Sequence, residues 1–315
     1  MKSQFVDELR AGQTVKETFV LSKKIMKDKK DGGGFYAILE FSDRSGSIDG
    51  ISWDGENLSH ISVGDFVFIT GNVNEYGGRL QVVVNAISRV EDEEIDAKDF
   101  LPQYTGDIDE VLTDIEGFKA KVKDVHLRRL LDTFFEDSDF VERFRLAPAA
   151  KRVHHAYLGG LAVHTLSVLR LLENIRSVYE FVNSDLLITA GILHDIGKIY
   201  EYEYKKNIDL SNRGRLLGHI VIGSEMVAER IARMPGFPED LKLKLMHMIL
   251  SHHGETEWGS PKQPLFPEAL ILHFVDNLDA KVEMMKQAFE KHRGKNRQWS
   301  DYHPYLEREI YLGEE

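Results

Sequence analysis

The sequence contains no cysteine in its 315 residues. This absence excludes disulfide bonds, and it excludes every zinc site that is built on thiolate ligands. A metal ion bound by this chain must therefore be held by histidine and carboxylate side chains.

Long apolar runs are also missing. No segment approaches the roughly 20 apolar residues that a membrane-spanning helix needs. The first ten residues are polar and lead into no apolar stretch of the kind found in signal peptides. We therefore expect a cytoplasmic protein without a membrane partner.

Basic residues are outnumbered by acidic ones, 40 against 52, and the formal net charge is −12. This balance argues against a protein that coats nucleic acid by bulk electrostatic attraction. The deficit is uneven, since residues 1–90 carry 11 Lys and Arg against 12 Asp and Glu and include a lysine cluster at positions 23–30. A local basic groove in this part remains compatible with the composition. Most of the 13 histidines follow position 150, which is the first sign of a site there.

The first 90 residues show the pattern of short strands. Five apolar segments, separated by polar and glycine-rich links, cover residues 18–26, 35–41, 47–53, 66–73 and 79–87. The links at 42–46 and 74–78 predict two hairpins. Five short strands in so few residues predict a small all-β barrel, and their spacing leaves an OB-fold and an SH3-like barrel as alternatives.

The segment "GGGFYAILEFSDRSGSIDGISWD" favours the OB-fold. It places Asp43, Ser45 and Gly46 between two strands and Trp53 after the second strand. In this arrangement it resembles the second and third strands of the nucleic-acid-binding OB domains related to tRNA anticodon binding. The resemblance implies an OB-fold nucleic-acid-binding domain over residues 1–90.

The chain changes character after this barrel. An acidic run at 91–96 predicts a linker, which Pro102 and Gly106 extend to residue 107. Apolar residues then recur at helical spacing over 108–125, 127–135, 139–144, 161–179, 185–193, 216–234, 239–250 and 268–292. We expect a multidomain protein in which a small all-β OB-fold barrel is followed by an all-α helical bundle over residues 108–315.

Polar side chains interrupt this helical part at places where a core helix normally avoids them, because burial of an unpaired charge is costly. Facing helices of a bundle hold metal ions with such inward-pointing side chains. Imidazole and carboxylate ligands without thiolate suit Mn, Mg, Co, Fe, Ni or Zn. The pattern predicts a site for one or two divalent ions, and a two-ion site suits hydrolysis of phosphate esters. The candidate ligands are His164, His194, Asp195, His219, His252, His253 and Asp276.

Four of these residues match a known signature. His164 in "LAVHT", His194 and Asp195 in "ILHDIGK", and Asp276 resemble the H…HD…D pattern of the HD-domain metal-dependent phosphohydrolases. The resemblance implies that Asp195 is the ligand that can bridge two ions.

The remaining histidines and the domain order narrow the resemblance. His219, His252 and His253 are similar to the extra ligands of the two-metal members of that superfamily. An OB-like domain followed by an HD domain resembles the YhaM family of 3′→5′ exoribonucleases. This resemblance implies a metal-dependent exoribonuclease, with Mn²⁺ as the leading ion. Such an enzyme hydrolyses single-stranded RNA to 5′-mononucleotides by metal-activated water, and single-stranded DNA is a second candidate substrate.

Two other functions remain as alternatives. The first is a phosphodiesterase or phosphohydrolase acting on small or cyclic nucleotides. The members that cleave cyclic dinucleotides carry Gly-Tyr-Pro after the HD motif, and this tripeptide occurs nowhere in the chain. The second is a non-catalytic protein that binds single-stranded nucleic acid, which the full set of expected ligands disfavours.

Further residues near the motif are candidates for catalysis and substrate binding. Lys198 lies three residues after Asp195 and is a candidate to stabilise charge on phosphate oxygens, with a solvated helix cation as the alternative. Asp279 follows Asp276 by one helical turn. Three alternatives are open for it: it competes with Asp276 as a metal ligand, it faces solvent, or it orients a ligand. A basic patch before the first metal helix is a candidate contact for the nucleotide, and it consists of Lys151, Arg152, His154 and His155.

The barrel has its own candidates for RNA binding. Aromatic side chains can stack on bases while lysines follow the phosphate backbone, and the candidates are Phe35, Tyr36, Trp53, Lys23 and Lys24. Because side chains alternate along a strand, only one of Phe35 and Tyr36 can face the RNA.

The C-terminal segment is apolar, and it includes Tyr302, Tyr305, Leu306, Ile310 and Tyr311. It packs either on its own domain or on another subunit, and the second case predicts a homo-oligomer.

Overall fold

The structure is a computed structural model that describes residues 2–29, 33–55, 58–91, 95–151, 155–204, 207–292 and 297–313. The chain divides into two compact units. One contains Met1–Gln103 with Glu203–Ile208, and the other contains Tyr104–Tyr202 with Asp209–Glu315. The domain bounds expected from the sequence, at residues 90 and 107, remain a prediction.

Five strands form a closed barrel in the first unit, and this confirms the predicted OB-fold. The strands are β1 (Thr14–Asp28), β2 (Phe35–Asp43), β3 (Gly46–Ser52), β4 (Phe66–Tyr76) and β5 (Arg79–Arg89). Their order around the barrel is β1-β2-β3-β5-β4, and only the β3–β5 pair is parallel. The interior is filled by alternating apolar side chains, including Phe19, Leu39 and Phe41, which are fully buried.

The Asp-x-Ser-Gly segment between β2 and β3 is a structural turn. Asp43 Oδ1 accepts hydrogen bonds from the backbone N–H of Ser45 at 2.9 Å and from its hydroxyl at 2.6 Å. The other oxygen of Asp43 accepts from the N–H of Val6 at 3.0 Å. An aspartate that bonds two residues ahead favours a turn, so this segment sets the register of the hairpin.

The second unit is helical, as predicted. Its main helices are α1 (Ile108–Lys121), α2 (Val125–Phe135), α3 (Ser138–Leu146), α4 (Gly160–Arg176), α5 (Ser184–Leu193), α6 (Lys198–Glu201), α7 (Asn212–Ala232), α8 (Glu239–Ser251) and α9 (Pro267–His292). Two short paired strands, β6 (Tyr202–Tyr204) and β7 (Ile208–Leu210), separate α6 from α7. No helix in the described part of the chain is long and apolar enough to cross a membrane.

Helix α5 lies in the centre of this unit. Its last eight residues, 186–193, are all buried, so it is apolar on every side. A helix of this kind is surrounded by other helices. The residues that follow it, His194 and Asp195, are therefore placed inside the protein.

The structure differs from the sequence-based expectation at two helices. The first predicted helix ends at Lys121, and a new helix begins at Val125 after the N-cap Asp124. Helix α7 begins at Asn212 and is interrupted at Gly218, whose φ of 72° and ψ of 157° are not helical. A backbone with these angles is accessible almost only to glycine.

The C-terminal segment packs on its own unit. Leu306 and Ile310 are buried against Met284 and Ala288 of α9. This agrees with one of the two alternatives expected from the sequence. The homo-oligomer that the other alternative implies remains a prediction.

Candidate metal centre

The structure brings all seven predicted metal ligands together in the helical unit. His164 lies in the first half of α4, and His194 and Asp195 follow α5. His219 follows the interruption of α7, His252 and His253 follow α8, and Asp276 lies in α9. These residues form two groups whose ligand atoms lie within 4.8 Å of one another, and Asp195 belongs to both groups.

The first ligand group consists of His164, His194, Asp195 and Asp276. His164 Nε2 lies 3.2 Å from His194 Nε2 and 3.1 Å from Asp276 Oδ1. Asp195 Oδ2 is 3.5 Å from His164 Nε2 and 3.4 Å from His194 Nε2. Atoms bonded to one ion at 2.0–2.2 Å in tetrahedral geometry lie about 3.4 Å apart, so this spacing fits a single ion.

The second ligand group consists of Asp195, His219, His252 and His253. Asp195 Oδ1 lies 3.4 Å from His219 Nε2 and 3.5 Å from His252 Nε2. All three atoms are buried, and none has a hydrogen-bond partner among the described residues. Buried polar atoms without partners are costly, and three that converge on one point indicate a site for a cation.

The hydrogen bonds of the histidines fit the same interpretation. In each of the five histidines among the candidate ligands, Nδ1 lies 2.7–3.0 Å from an oxygen. These oxygens belong to Asp279, Gly191, Glu201, Ile249 and Trp258. A neutral imidazole that donates from Nδ1 presents its lone pair at Nε2. Nε2 is thus the atom that each of the five rings directs toward the ligand groups, which is the arrangement that neighbouring oxygens normally impose on metal-binding histidines.

Charge also favours metal binding at the second ligand group. Burial, together with the neighbouring His252 and His219, lowers the pKa of His253 to about 3. Burial likewise lowers the pKa of His252, and the Asp195 carboxylate only partly opposes this effect. The lowered pKa values favour the neutral imidazoles of His252 and His253, and the neutral form is the one that binds metal.

Asp195 is anionic in spite of its burial. Burial raises its pKa, but the Lys198 ammonium and His194 outweigh this effect, so the pKa lies well below the usual range. Lys198 is itself buried and donates to Asp195 Oδ2 at 2.6 Å. Lys198 therefore holds Asp195 in place, and the contact with phosphate oxygens that the sequence led us to expect stays a prediction.

Two carboxylates orient metal ligands from behind. Asp279 Oδ2 accepts from His164 Nδ1 at 2.7 Å and lies 3.2 Å from His155 Nε2. Glu201 Oε1 accepts from both the backbone N–H of His219 at 2.9 Å and its Nδ1 at 3.0 Å. Of the roles expected for Asp279, the geometry favours orientation of a ligand.

The predicted basic patch before α4 is arranged differently from the expectation. His155 is buried, and its Nδ1 lies 2.8 Å from the Tyr157 hydroxyl. It therefore belongs to the support of His164 and does not face an open surface. The ammonium of Lys151 pairs with Asp209 at 2.5 Å. Arg152 and His154 lie outside the described residues.

The barrel separates its predicted RNA-binding residues. Tyr36 and Trp53 lie side by side on the outer face, with ring centres 5.5 Å apart, and Trp53 is 56% exposed. Phe35 alternates with Tyr36 and shares the side of the buried Ala37, near the end of the barrel. Lys23 is exposed, whereas Lys24 donates to the carbonyls of Leu58 and Ile61.

The outer face continues from these aromatic rings along the barrel. Strand pairing places Ile25 beside Ile38 and Ile38 beside Ile51, and Ile25 is 40% exposed. Lys27 lies beside Tyr36 in the same pairing. The described side chains thus form an apolar and aromatic surface with lysines at its edge.

Sequence patterns did not reveal every residue of the site. Glu201 lies in the run "YEYEY", where nothing distinguishes it from the exposed Glu203. The spacing of Asp279 three residues after Asp276 was a usable signal, because such residues lie on one face of a helix. The role of Gly197 was also missed, and a side chain there would place Cβ 2.0 Å from the carbonyl oxygen of His219.

Comparisons with known proteins agree with this geometry. The family model of the HD domain matches residues 161–281, which include all seven candidate ligands. A second model, described as an OB-fold nucleic acid binding domain, matches residues 20–90. The helical unit therefore contains a divalent metal site of the HD type.

Several curated relatives match nearly the whole chain, and each is named 3′-5′ exoribonuclease YhaM. A protein of Listeria innocua is 33% identical over 293 residues, which are 92% of each chain. A protein of Bacillus subtilis is 34% identical over 278 residues, covering 87% of this chain and 88% of the relative. A protein of a Geobacillus species is 33% identical over 280 residues, covering 87% and 85%.

Proposed function

Because the chain belongs to the YhaM family of 3′-5′ exoribonucleases, we propose that it removes nucleotides from the 3′ end of single-stranded RNA in a metal-dependent reaction. The observation that carries the proposal is the metal centre, where seven side chains form two ligand groups joined by Asp195. The products are 5′-mononucleotides, released one at a time.

Two ions fit the proposed centre. His164, His194 and Asp276 would hold one ion, His219, His252 and His253 would hold the other, and Asp195 would bind both with its two oxygens. When bound, such ions supply a water nucleophile at neutral pH and neutralise charge on the phosphate oxygens. Mn²⁺ is the proposed ion, because nitrogen and oxygen donors without thiolate suit it.

The protein's own residues prepare this centre. Lys198 keeps Asp195 anionic and in place by a 2.6 Å hydrogen bond inside the protein. Glu201 and Asp279 fix the rings of His219 and His164, so that each Nε2 faces the position where an ion would bind. The backbone acceptors behind the remaining histidines do the same. The ligands are therefore oriented before substrate arrives.

A cleft of about 730 Å³ gives the substrate access to the metal centre. His219, His253 and Asp276 line it, so a phosphodiester in the cleft can reach both ligand groups. A volume of this size accommodates one nucleotide and the bond to its neighbour.

We assign the RNA strand itself to the outer face of the barrel. Tyr36 and Trp53 offer stacking surfaces there, and Lys23 and Lys27 offer positive charge. OB-folds bind single strands by this combination of aromatic stacking and electrostatic attraction. Because the overall charge is −12, we expect binding to depend on this local surface.

The proposal is tested with metal-stripped protein and a 5′-labelled single-stranded RNA. Mn²⁺, Mg²⁺, Co²⁺ or Zn²⁺ is added back separately, and the Asp195→Ala variant is tested beside the wild type. We expect a ladder that shortens from the 3′ end only with metal, 5′-mononucleotides as product, and no turnover by the variant. Labelled DNA of the same sequence measures the preference for RNA.

Intact RNA under every metal would contradict the proposal. Cyclic dinucleotides and small nucleotides, assayed under the same conditions, then test the other HD-type activities. Shortening that persists in Asp195→Ala would show that the reaction occurs elsewhere or comes from a contaminant.

A further inference from the structure

The cleft at the metal centre has a second wall, whose residues lie outside the two ligand groups. One side is formed by the metal ligands and Lys198. The other side is formed by Trp258, by the middle of α9, and by the C-terminal segment at residues 305–308. All of these residues belong to the helical unit.

Trp258 presents an aromatic surface beside a metal ligand. Its side chain is 50% exposed, although a tryptophan is usually covered when the fold has no other use for it. Its backbone carbonyl accepts from His253 Nδ1 at 2.7 Å, so the backbone of Trp258 is held beside that candidate ligand. The indole therefore lies at the edge of the cleft, close to the metal centre.

Positive charge lies on the same wall. The ammonium of Lys281 lies 5.5 Å from the centre of the Trp258 ring. Arg308 donates from Nε to the carbonyl of Leu306 at 2.8 Å and lines the cleft. Among the described residues, no carboxylate lies within ion-pair distance of Lys281 or Arg308, in contrast to Arg145, Arg170 and Arg213.

We propose that Trp258, Lys281 and Arg308 form a subsite that binds the 3′-terminal nucleotide of the RNA, with its base stacked on Trp258 and its phosphate oxygens facing the two cations. Aromatic stacking is tolerant of sequence because every base has a π face. The subsite would therefore hold any terminal nucleotide while its phosphodiester lies at the metal centre. This inference rests on the proposed function for the identity of the ligand.

The test is calorimetric titration of the full-length, Mn²⁺-loaded protein with 5′-AMP and with ribose 5-phosphate, which lacks the base. The wild type should bind 5′-AMP about tenfold more tightly than ribose 5-phosphate, as expected for one base–aromatic stack. In Trp258→Ala this preference should disappear, and in Trp258→Phe most of it should remain. Lys281→Ala and Arg308→Ala should each lower the affinity for both compounds by the same factor.

The matched control is Lys286→Ala. Lys286 is also exposed on α9, but it pairs with Glu283 and does not line the cleft. Its substitution should leave both affinities within twofold of the wild type. Circular dichroism of each variant establishes that a loss of binding does not reflect unfolding.

Two outcomes overturn the subsite, namely equal affinity of the wild type for the two compounds, or a preference for 5′-AMP that survives in folded Trp258→Ala. The RNA-shortening assay is independent of these titrations. Shortening without a Trp258-dependent preference rejects only the subsite. A Trp258-dependent preference without shortening supports a nucleotide subsite and rejects the exoribonuclease proposal.

Discussion

Single residues behind the candidate ligands determine which ring nitrogen each histidine can offer to a metal ion. Each of five imidazoles has Nδ1 against an oxygen, and two of these oxygens belong to the carboxylates of Asp279 and Glu201. A carboxylate behind a metal-bound histidine fixes the ring and raises its basicity as a ligand. The two carboxylates act on different ligand groups, so their effects can be separated.

We predict that Glu201→Gln weakens the binding of one Mn²⁺ ion and that Asp279→Asn weakens the binding of the other. Each affinity should fall by about 10–100-fold. Calorimetric titration of metal-stripped protein measures the two binding steps. Glu203→Gln is the control, because Glu203 is exposed two residues away. If Glu201→Gln and Asp279→Asn both weaken the same step, the assignment of one carboxylate to each ion is wrong.

Residue patterns predicted the seven candidate ligands, which the structure brings together, but not the residues behind them. The seven ligands could be found because polar groups at helix ends and in apolar helices are unusual. Glu201 could not be found, since its role depends on the interruption at Gly218, which turns the N–H and the ring of His219 toward it. That interruption is a tertiary feature without a distinct periodic signal.

At the scale of elements, the metal centre depends on how closely α6 and α7 approach. Gly197 lies between Asp195 and α6, and its α-carbon faces the backbone of α7. An added Cβ would lie 2.0 Å from the His219 carbonyl oxygen and 2.6 Å from the Gly223 nitrogen. Backbone atoms cannot yield as a flexible side chain can, so a larger residue must push the helix away.

We predict that Gly197→Ala lowers the free energy of unfolding by about 1–3 kcal/mol, as overpacking does. The same substitution should weaken the binding of Mn²⁺ at the second ligand group. Urea unfolding and metal titration measure the two effects. Gly117→Ala is the control, because nothing lies within 4 Å of its added Cβ in α1. That substitution should stabilise the protein by about 0.5–1 kcal/mol. Equal stability of the two variants would refute the close-approach argument.

The start of α3 provides a test of a cap together with its pH dependence. Asp137 accepts from the backbone N–H groups of Asp139 and Phe140 and from Arg230 at 2.7 Å. The hydrogen bond from Arg230 is the main cause that lowers the pKa of Asp137, helped by the cap. Its stabilising effect is therefore complete above the unfolded pKa of about 3.9 and is lost as pH falls below it.

We predict that Asp137→Ala costs about 0.5–2 kcal/mol in urea unfolding at pH 7, as the loss of a cap does. The difference from the wild type should shrink as the pH falls through 4 toward 3. A difference that stays constant or grows at low pH would contradict the assigned role.

At the scale of the whole molecule, our proposal assigns strand binding to the barrel and hydrolysis to the helical unit. The barrel and the bundle could both be predicted, because alternation over 18–87 and helical spacing from 108 onward are strong local signals. The direction in which a barrel side chain points was also predictable from alternation, as Phe35 and Tyr36 illustrate. The sequence could not predict whether a lysine is free to bind RNA. The carbonyl groups that Lys24 contacts belong to Leu58 and Ile61, which lie far from it in the chain.

We predict that Trp53→Ala raises KM for a long single-stranded RNA about tenfold, since one stacked base is lost. The effect should shrink with substrate length and be smallest for thymidine 5′-p-nitrophenyl phosphate, which contains a single nucleoside. Steady-state kinetics with RNAs of graded length measure this trend. The exposed Trp299, which packs on Tyr311, provides the comparison variant Trp299→Ala. An equal loss for every substrate length would show that Trp53 does not contact the strand.

The electron paramagnetic resonance spectrum of the Mn²⁺-loaded protein distinguishes a joined pair of ions from isolated ions. The claim is that Asp195 joins two ions. We predict two Mn²⁺ per chain and the multiline signal of a coupled pair, which is lost in Asp195→Asn. A six-line signal of isolated Mn²⁺ at every loading, or a coupled signal that survives in Asp195→Asn, would contradict the account.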